Sequence, residues 1–369
     1  MKKKKIAALL AAAVIFLLVG CNYNRILISP PQDRSVAADA TLTDAPATPG
    51  DATATEATAT DAQTTAVQTT ADTTTQPSVP GTTAQVPATA AAPVAPSPFL
   101  RTYDFSGLKY SVHSTAAACY DLREDRFLYE KNAGSRLSPA SLTKIVTACV
   151  ALKYVAPSAV YTVGNEINMA GPNSSLCFIK AGHQLTLYDL LCGMMLASGN
   201  DAAYTVAVKV SSTIAGEVLP AAEGVSRFVD LMNGFAAEIG LTDSHFVNPE
   251  GWDDPGQYMS LRDIVVAARY AMSLDVFRDI VSRPTYNATF LSGQTITWKN
   301  SNLMLDPASP FYLPGVAGVK TGTTPLAGKC LISYYRDDAY ELLSASMGNP
   351  TEEERYYSVR EMIDTVRYQ

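Results

Sequence analysis

Ser138-Pro139-Ala140-Ser141-Leu142-Thr143-Lys144-Ile145-Val146-Thr147-Ala148-Cys149-Val150-Ala151-Leu152 is the stretch on which the fold turns. Ser138 is placed to cap, Pro139 suits a first turn, and Leu142, Ile145, Val146 and Cys149 recur at helical spacing. The pattern predicts an apolar helix from Ser138 to Leu152. Ser141 and Lys144 then share one face, hydroxyl and amine within hydrogen-bond reach. An amine held among apolar residues gives up its proton more easily and can serve as base for a serine nucleophile. The N–H of Ser141 lies near the helix start, where donors lack intrahelical partners. Alone, S-x-x-K is a common surface pair, and Ser106-Gly107-Leu108-Lys109 repeats it with no capped apolar helix behind it.

Outward from this helix, residues 99–369 read as one α+β domain. Ser114 to Tyr129 predicts two strands around a Leu122-Arg123-Glu124-Asp125 turn. Thr186-Leu187-Tyr188-Asp189 opens a helix to Ala197 with a capping box. Asn200 or Asp201 starts another, over Ala202 to Val210, and Val225 to Ile239 and Ser260 to Met272 are amphipathic. Val316 to Thr323, Cys330 to Tyr335 and Tyr340 to Ser346 predict strands, and Thr351 with Glu352, Glu353 and Glu354 opens a last helix, its acids on the positive end. Strands at both ends with helices between imply an antiparallel sheet flanked by helices, completed by both ends and carrying an inserted all-helical subdomain.

Before this domain the chain changes character twice. Lys2 to Lys5 are cationic and Ile6 to Gly20 apolar, too short to span a bilayer, so 1–20 reads as a signal peptide. Residues 35–98 hold 18 Ala, 17 Thr and 8 Pro with no aromatic, Lys or Arg, too little apolar surface to offset chain entropy. Residues 21–98 are therefore expected to be a disordered tether, whose 35–98 portion spans roughly 45 Å as a coil and about 200 Å extended.

Several chemistries are excluded. A net charge of −7 without a basic stripe argues against nucleic acid as a partner. Beyond Cys21 the cysteines are Cys119, Cys149, Cys177, Cys192 and Cys330, an odd number with no C-x-x-C. Most read as buried thiols, a Cys177–Cys192 bridge being the alternative. The three histidines are scattered without H-E-x-x-H, and His245 in Ser244-His245-Phe246 reads as packing. No metal or cofactor is expected, and there is neither a G-x-S-x-G elbow nor a phosphate loop.

Two further motifs keep Ser141 and Lys144 company. Ser198-Gly199-Asn200 falls in the break between two helices, and Lys320-Thr321-Gly322 on a predicted strand. S-x-x-K, S-x-N and K-T-G in this order resemble the penicillin-recognising serine enzymes. The flanks resemble the low-molecular-weight serine D-alanyl-D-alanine carboxypeptidases: Pro139 to Ile145, Met195 to Ala203, Phe246-Val247-Asn248-Pro249-Glu250-Gly251, and Gly318 to Gly322 followed by Ala327-Gly328. Leu18-Val19-Gly20-Cys21 resembles a bacterial lipobox, which implies cleavage before Cys21 and a diacylglycerol on its sulfur; two acyl chains suffice for stable attachment to the outer face of the membrane.

The resemblance implies a β-lactamase/DD-peptidase-like fold and an enzyme that removes the terminal D-alanine from peptidoglycan stem peptides ending in D-Ala-D-Ala, with β-lactams as inhibitors. Ser141 would be the nucleophile, Lys144 its base, aided toward neutrality by Lys320, with Ser198 as proton relay and Asn200 orienting Lys144 and the substrate amide. The N–H groups of Ser141 and Thr323 would meet the oxyanion. Lys320, Thr321 and Gly322 would line the substrate site, the first two holding the terminal carboxylate, aided by Arg355, which could equally be a solvated charge on the last helix. Thr323-Thr324-Pro325 departs from the aromatic or acidic residue many members carry after K-T-G. The 47 residues after Gly322 are too few for the extra C-terminal β-domain and amphipathic helix of many relatives. Three rival readings stay open: a β-lactamase, although no E-x-x-L-N lies between the second and third motifs; a wall-peptide or penicillin-binding lipoprotein without turnover; and an endopeptidase acting on cross-links.

Overall fold

The computed structural model describes residues 101–369. The expected signal peptide, Cys21 and the 21–98 tether lie outside these residues. Among them the strands are β1 (Ala116–Asp121), β2 (Arg126–Lys131), β3 (Val160–Thr162), β4 (Gln184–Thr186), β5 (Thr285–Thr289), β6 (Thr295–Lys299), β7 (Val316–Thr324), β8 (Gly328–Arg336) and β9 (Glu341–Asn349). The helices are α1 (Lys144–Tyr154), α2 (Leu187–Leu196), α3 (Asn200–Ala215), α4 (Ala221–Glu238), α5 (Leu261–Ser273), α6 (Asp275–Val281) and α7 (Glu352–Tyr368). None is long and apolar enough to cross a membrane.

The main sheet runs β2-β1-β9-β8-β7, antiparallel throughout, with the two ends of the domain joined where β1 pairs β9. Its central strands are buried on both faces, which explains the small residues of β1. Ala116, Ala118 and Tyr120 face the helical region, while Ala117 and Cys119 face the layer that includes α7. In that layer Val359, Met362, Ile363 and Val366 are fully buried, each contributing about 1.5–3 kcal/mol by area.

The predicted openings of α2 and α7 are present, and α5 carries a cap that the sequence reading does not assign. Thr186 and Asp189 form a capping box on α2, and Ser260 and Thr351 accept from the third backbone N–H of α5 and α7. α3 outruns its predicted end and stops where Gly216, at φ +73°, takes the left-handed conformation. The insertion also carries two ribbons, β3–β4 and β5–β6, that the sequence pattern does not announce. Five-residue strands of alternating exposure such as β5 and β6 present too little apolar signal to stand out. Cys119, Cys149, Cys177, Cys192 and Cys330 are all buried free thiols, so the Cys177–Cys192 alternative falls away.

Candidate active site

The Ser138 helix starts differently from its prediction. Ala140–Thr143 form a 3-10 turn whose flanking Pro139 makes no side-chain cap, and α1 begins only at Lys144. Ser138 does not cap because its hydroxyl donates to Asp253 Oδ1. Ala140 is held at φ +48°, an uncommon setting for a residue with a Cβ, and its carbonyl packs against Gly251. A Cβ on Gly251, itself at φ +95°, would stand 1.8 Å from Ala140 O, so only glycine fits. Ser141 is thereby presented from a tight turn braced from behind.

Lys144 is fully buried and its ammonium has three acceptors: Ser141 Oγ at 2.9 Å, Asn200 Oδ1 at 2.7 Å and the Glu250 carbonyl at 2.8 Å. Three donors on three acceptors satisfy the charged form completely. Burial nevertheless lowers its pKa to about 8, against the opposing pull of Glu250 and Asp201. Burial, rather than the charge of Lys320, is what moves Lys144. The repulsion falls on Lys320, which is pushed well below its usual value by burial first and then by Lys144 and Arg355.

The second motif sits in the turn between α2 and α3. Ser198 is at φ +60° and Asn200 is the first residue of α3, which aims its amide at Lys144. A Cβ on Gly199 would come within 2.8 Å of Asp201 and Cys177, so the turn closes directly on the preceding loop. Asp201 fastens that loop, accepting from the backbone N–H groups of Cys177 at 2.9 Å and Ile179 at 3.2 Å.

The third motif lies on β7, an edge of the main sheet that packs beside the Ser141 turn. A Cβ on Gly322 would lie 3.0 Å from Ala140 Cβ and 3.3 Å from Ser141 N. Lys320 is buried, with Nζ donating to the Thr321 carbonyl at 3.1 Å, and Thr321 Oγ1 lies 2.7 Å from Ser301 Oγ. Thr323 is exposed; its hydroxyl donates to the Gly322 carbonyl and accepts from Arg355 Nη1 at 3.3 Å. Arg355 is buried rather than a solvated charge. It also donates to Glu352 at 2.6 Å and to Tyr356 Oη at 3.0 Å, the Tyr356 hydroxyl in turn donating to the Ser301 carbonyl.

Ser141, Lys144 and Asn200 are thus joined by direct hydrogen bonds, and Gly322 abuts the Ala140–Ser141 turn. The fold also recruits residues to which the motif reading assigned no role: Glu250, Tyr204, Asp201, Asp253 and Ser301. Glu250 stood inside a motif-like flank, and Asp201 carried a helix-start signal; the other three had no local signature. His245 is exposed and outside this group, its Nδ1 2.7 Å from the Gly256 carbonyl. The Ser106–Lys109 repeat forms no helix.

Residues 104–351 match the profile of the family described as D-alanyl-D-alanine carboxypeptidase. The chain belongs to this family. It is 32% identical over 255 residues to the D-alanyl-D-alanine carboxypeptidase DacC of Escherichia coli, spanning 67% of this chain and 59% of that protein. With DacF of Bacillus subtilis it shares 28% over 280 residues, 73% of this chain and 66% of the relative. The chain therefore covers somewhat under two thirds of these relatives' length. Among solved structures, a Streptomyces DD-transpeptidase is similar with a TM-score of 0.64 and 28% identity, over 70% of this chain and 98% of that one. Penicillin binding protein 6B of Escherichia coli gives a TM-score of 0.61 at 28% identity, over 73% and 82%. The D-alanyl-D-alanine carboxypeptidase fold so established is the α+β sheet-and-helix arrangement expected from the sequence.

Proposed function

We propose that the protein is a serine D-Ala-D-Ala carboxypeptidase that removes the terminal D-alanine of peptidoglycan stem peptides through an acyl-enzyme on Ser141. The observation that carries this reading is the buried Lys144 amine, 2.9 Å from Ser141 Oγ and poised to lose its proton near pH 8. In its neutral form Lys144 keeps two N–H bonds, to Asn200 Oδ1 and the Glu250 carbonyl, and turns its lone pair toward the Ser141 hydroxyl.

The serine proton passes to Lys144 as Oγ bonds to the carbonyl carbon of the penultimate D-alanine. The oxyanion is met by the N–H groups of Ser141 and Thr323. The C–N bond then breaks, and the departing D-alanine nitrogen takes a proton relayed through Ser198 from the Lys144 ammonium. Water attacks the ester, losing its proton to the same amine, and Ser141 regains its hydrogen. Asn200 holds Lys144 in line and offers its amide to the substrate. The edge position of β7 suits an extended peptide, which could pair with its backbone at Gly322 and Thr323. Lys320, Thr321 and Arg355 surround the place for the terminal carboxylate, whose charge would draw buried Lys320 into its protonated form. Penicillins would acylate Ser141 by the same steps.

We infer that this domain works outside the cytoplasm at the wall, carried on a lipid-bearing Cys21 and the 35–98 tether. The sequence of Leu18 to Cys21 and the Ala/Thr/Pro composition support that reading. Replacing Cys21 with Ala should release the protein from membranes; continued retention would count against the anchor. The activity is tested by incubating the protein with a pentapeptide ending in D-Ala-D-Ala and weighing the products. Loss of one alanine is expected. An intact peptide would favour binding without turnover, and rapid penicillin hydrolysis a β-lactamase.

A further inference from the structure

Beside Lys144 lies a buried carboxylic acid that the reaction as described does not use. Glu250 is 3% exposed; its Oε1 accepts from Tyr204 Oη at 3.0 Å, and its Oε2 is buried with no donor among the described residues. Its backbone carbonyl is the third acceptor of the Lys144 ammonium. The Pro249-Glu250-Gly251 segment is pinned on both sides of that carbonyl. Thr147 Oγ1 donates to the Pro249 carbonyl at 2.6 Å, and Gly251 N donates to Asn248 Oδ1 at 2.7 Å. Tyr204 sits one turn after Asn200 on α3, so residues i and i+4 of one helix face reach Lys144, one directly and one through Glu250.

We propose that Glu250, held by Tyr204, is a positioning residue that fixes the carbonyl beneath Lys144 and supplies the negative charge behind it. The inference rests on Lys144 as the base. The charged or titratable groups facing Lys144 are Glu250, Asp201 at the start of α3, Cys177 on the preceding loop and Lys320 on β7. Asp201 is spent on the backbone N–H groups of Cys177, Ile179 and Ala202. The Glu250 carboxylate has one hydroxyl partner, and its charge is answered by Lys144. Burial raises its pKa, which Lys144 and the Tyr204 hydroxyl partly offset.

Acylation by a fluorescent penicillin, followed from pH 5 to 10, separates this role from a packing role. In the unaltered protein the rate should rise with pH through the Lys144 titration; a flat profile would remove Lys144 as base and overturn the role of Glu250 with it. Glu250→Gln deletes the charge and keeps the shape, so the acid limb should move about one unit to lower pH. Tyr204→Phe, one oxygen smaller, makes the carboxylate harder to keep ionised and should move the limb the same way by less, which also carries the test if Glu250→Gln does not fold. On the Glu250→Gln background Tyr204→Phe should add no further shift, because the hydroxyl acts through the carboxylate. A limb that stays in place while the rate falls equally at every pH, in either folded variant, overturns the proposal and leaves the pair as packing.

Discussion

Lys144 Nζ lies 2.9 Å from Ser141 Oγ, and the lysine is entirely buried. A buried amine beside a hydroxyl fixes the pH at which the serine can be activated. The Lys144 pKa is lowered to about 8, and a base must be neutral to act. Acylation should therefore climb roughly tenfold per pH unit below that value and level off above it. Stopped-flow acylation by a chromogenic cephalosporin across pH 6 to 10 checks this. The same shift makes a stability statement. The folded-state pKa is depressed relative to the unfolded lysine, so the unfolded chain binds more protons between about 8 and its normal value. Over that window this lysine should add stability as pH rises.

Gly251 and Gly293 make a matched pair for the strength of packing under Ser141. Both have φ near +95°, but a Cβ on Gly251 would strike Ala140 O, whereas nothing lies within 4 Å of one on Gly293. Gly293→Ala should cost about 1–2 kcal/mol, the conformational strain alone. Gly251→Ala should cost more than about 3 kcal/mol, because the Ala140–Ser141 turn must move. Urea denaturation of the two variants distinguishes these cases.

Asp201→Ala removes the acceptor of three backbone N–H groups in a buried site. Loss of the carboxylate should cost on the order of 3 kcal/mol and loosen residues 177–179. Hydrogen exchange at the Cys177 and Ile179 amides should quicken relative to α5, whose amides serve as the internal reference.

Arg355 is buried against Thr323 and is expected to meet a substrate carboxylate. Arg355→Leu should lower kcat/KM for a D-Ala-D-Ala peptide roughly 10- to 100-fold, the value of a hydrogen bond to a charged group. The same peptide with an amidated C-terminus should be a poor substrate for both proteins and show little difference between them. Equal losses on both substrates would mean that the arginine supports the sheet instead.

The caps of α2 and α7, the strands at both ends of the domain and the three motifs are legible in the sequence because each is a local pattern. Thr186 and Thr351 cap helices by contacts three residues away. The start of the Ser138 helix departs from the local pattern because a long-range partner, Asp253, takes the Ser138 hydroxyl. The sequence leaves Arg355 open for the same reason: its surroundings include Thr323, 32 positions earlier, and Tyr356. Tyr204 and Ser301 had no signature at all, since their roles exist only once α3 and β7 lie against their neighbours.

Every proposed role in the site depends on an acyl-enzyme at Ser141. Intact-mass spectrometry of the protein after incubation with benzylpenicillin, followed by digestion, tests it directly. The expected result is a gain of one penicillin, mapped to the peptide containing Ser141 and lost in Ser141→Ala while that variant melts like the parent. An unmodified protein, or an adduct that persists in Ser141→Ala, would contradict it.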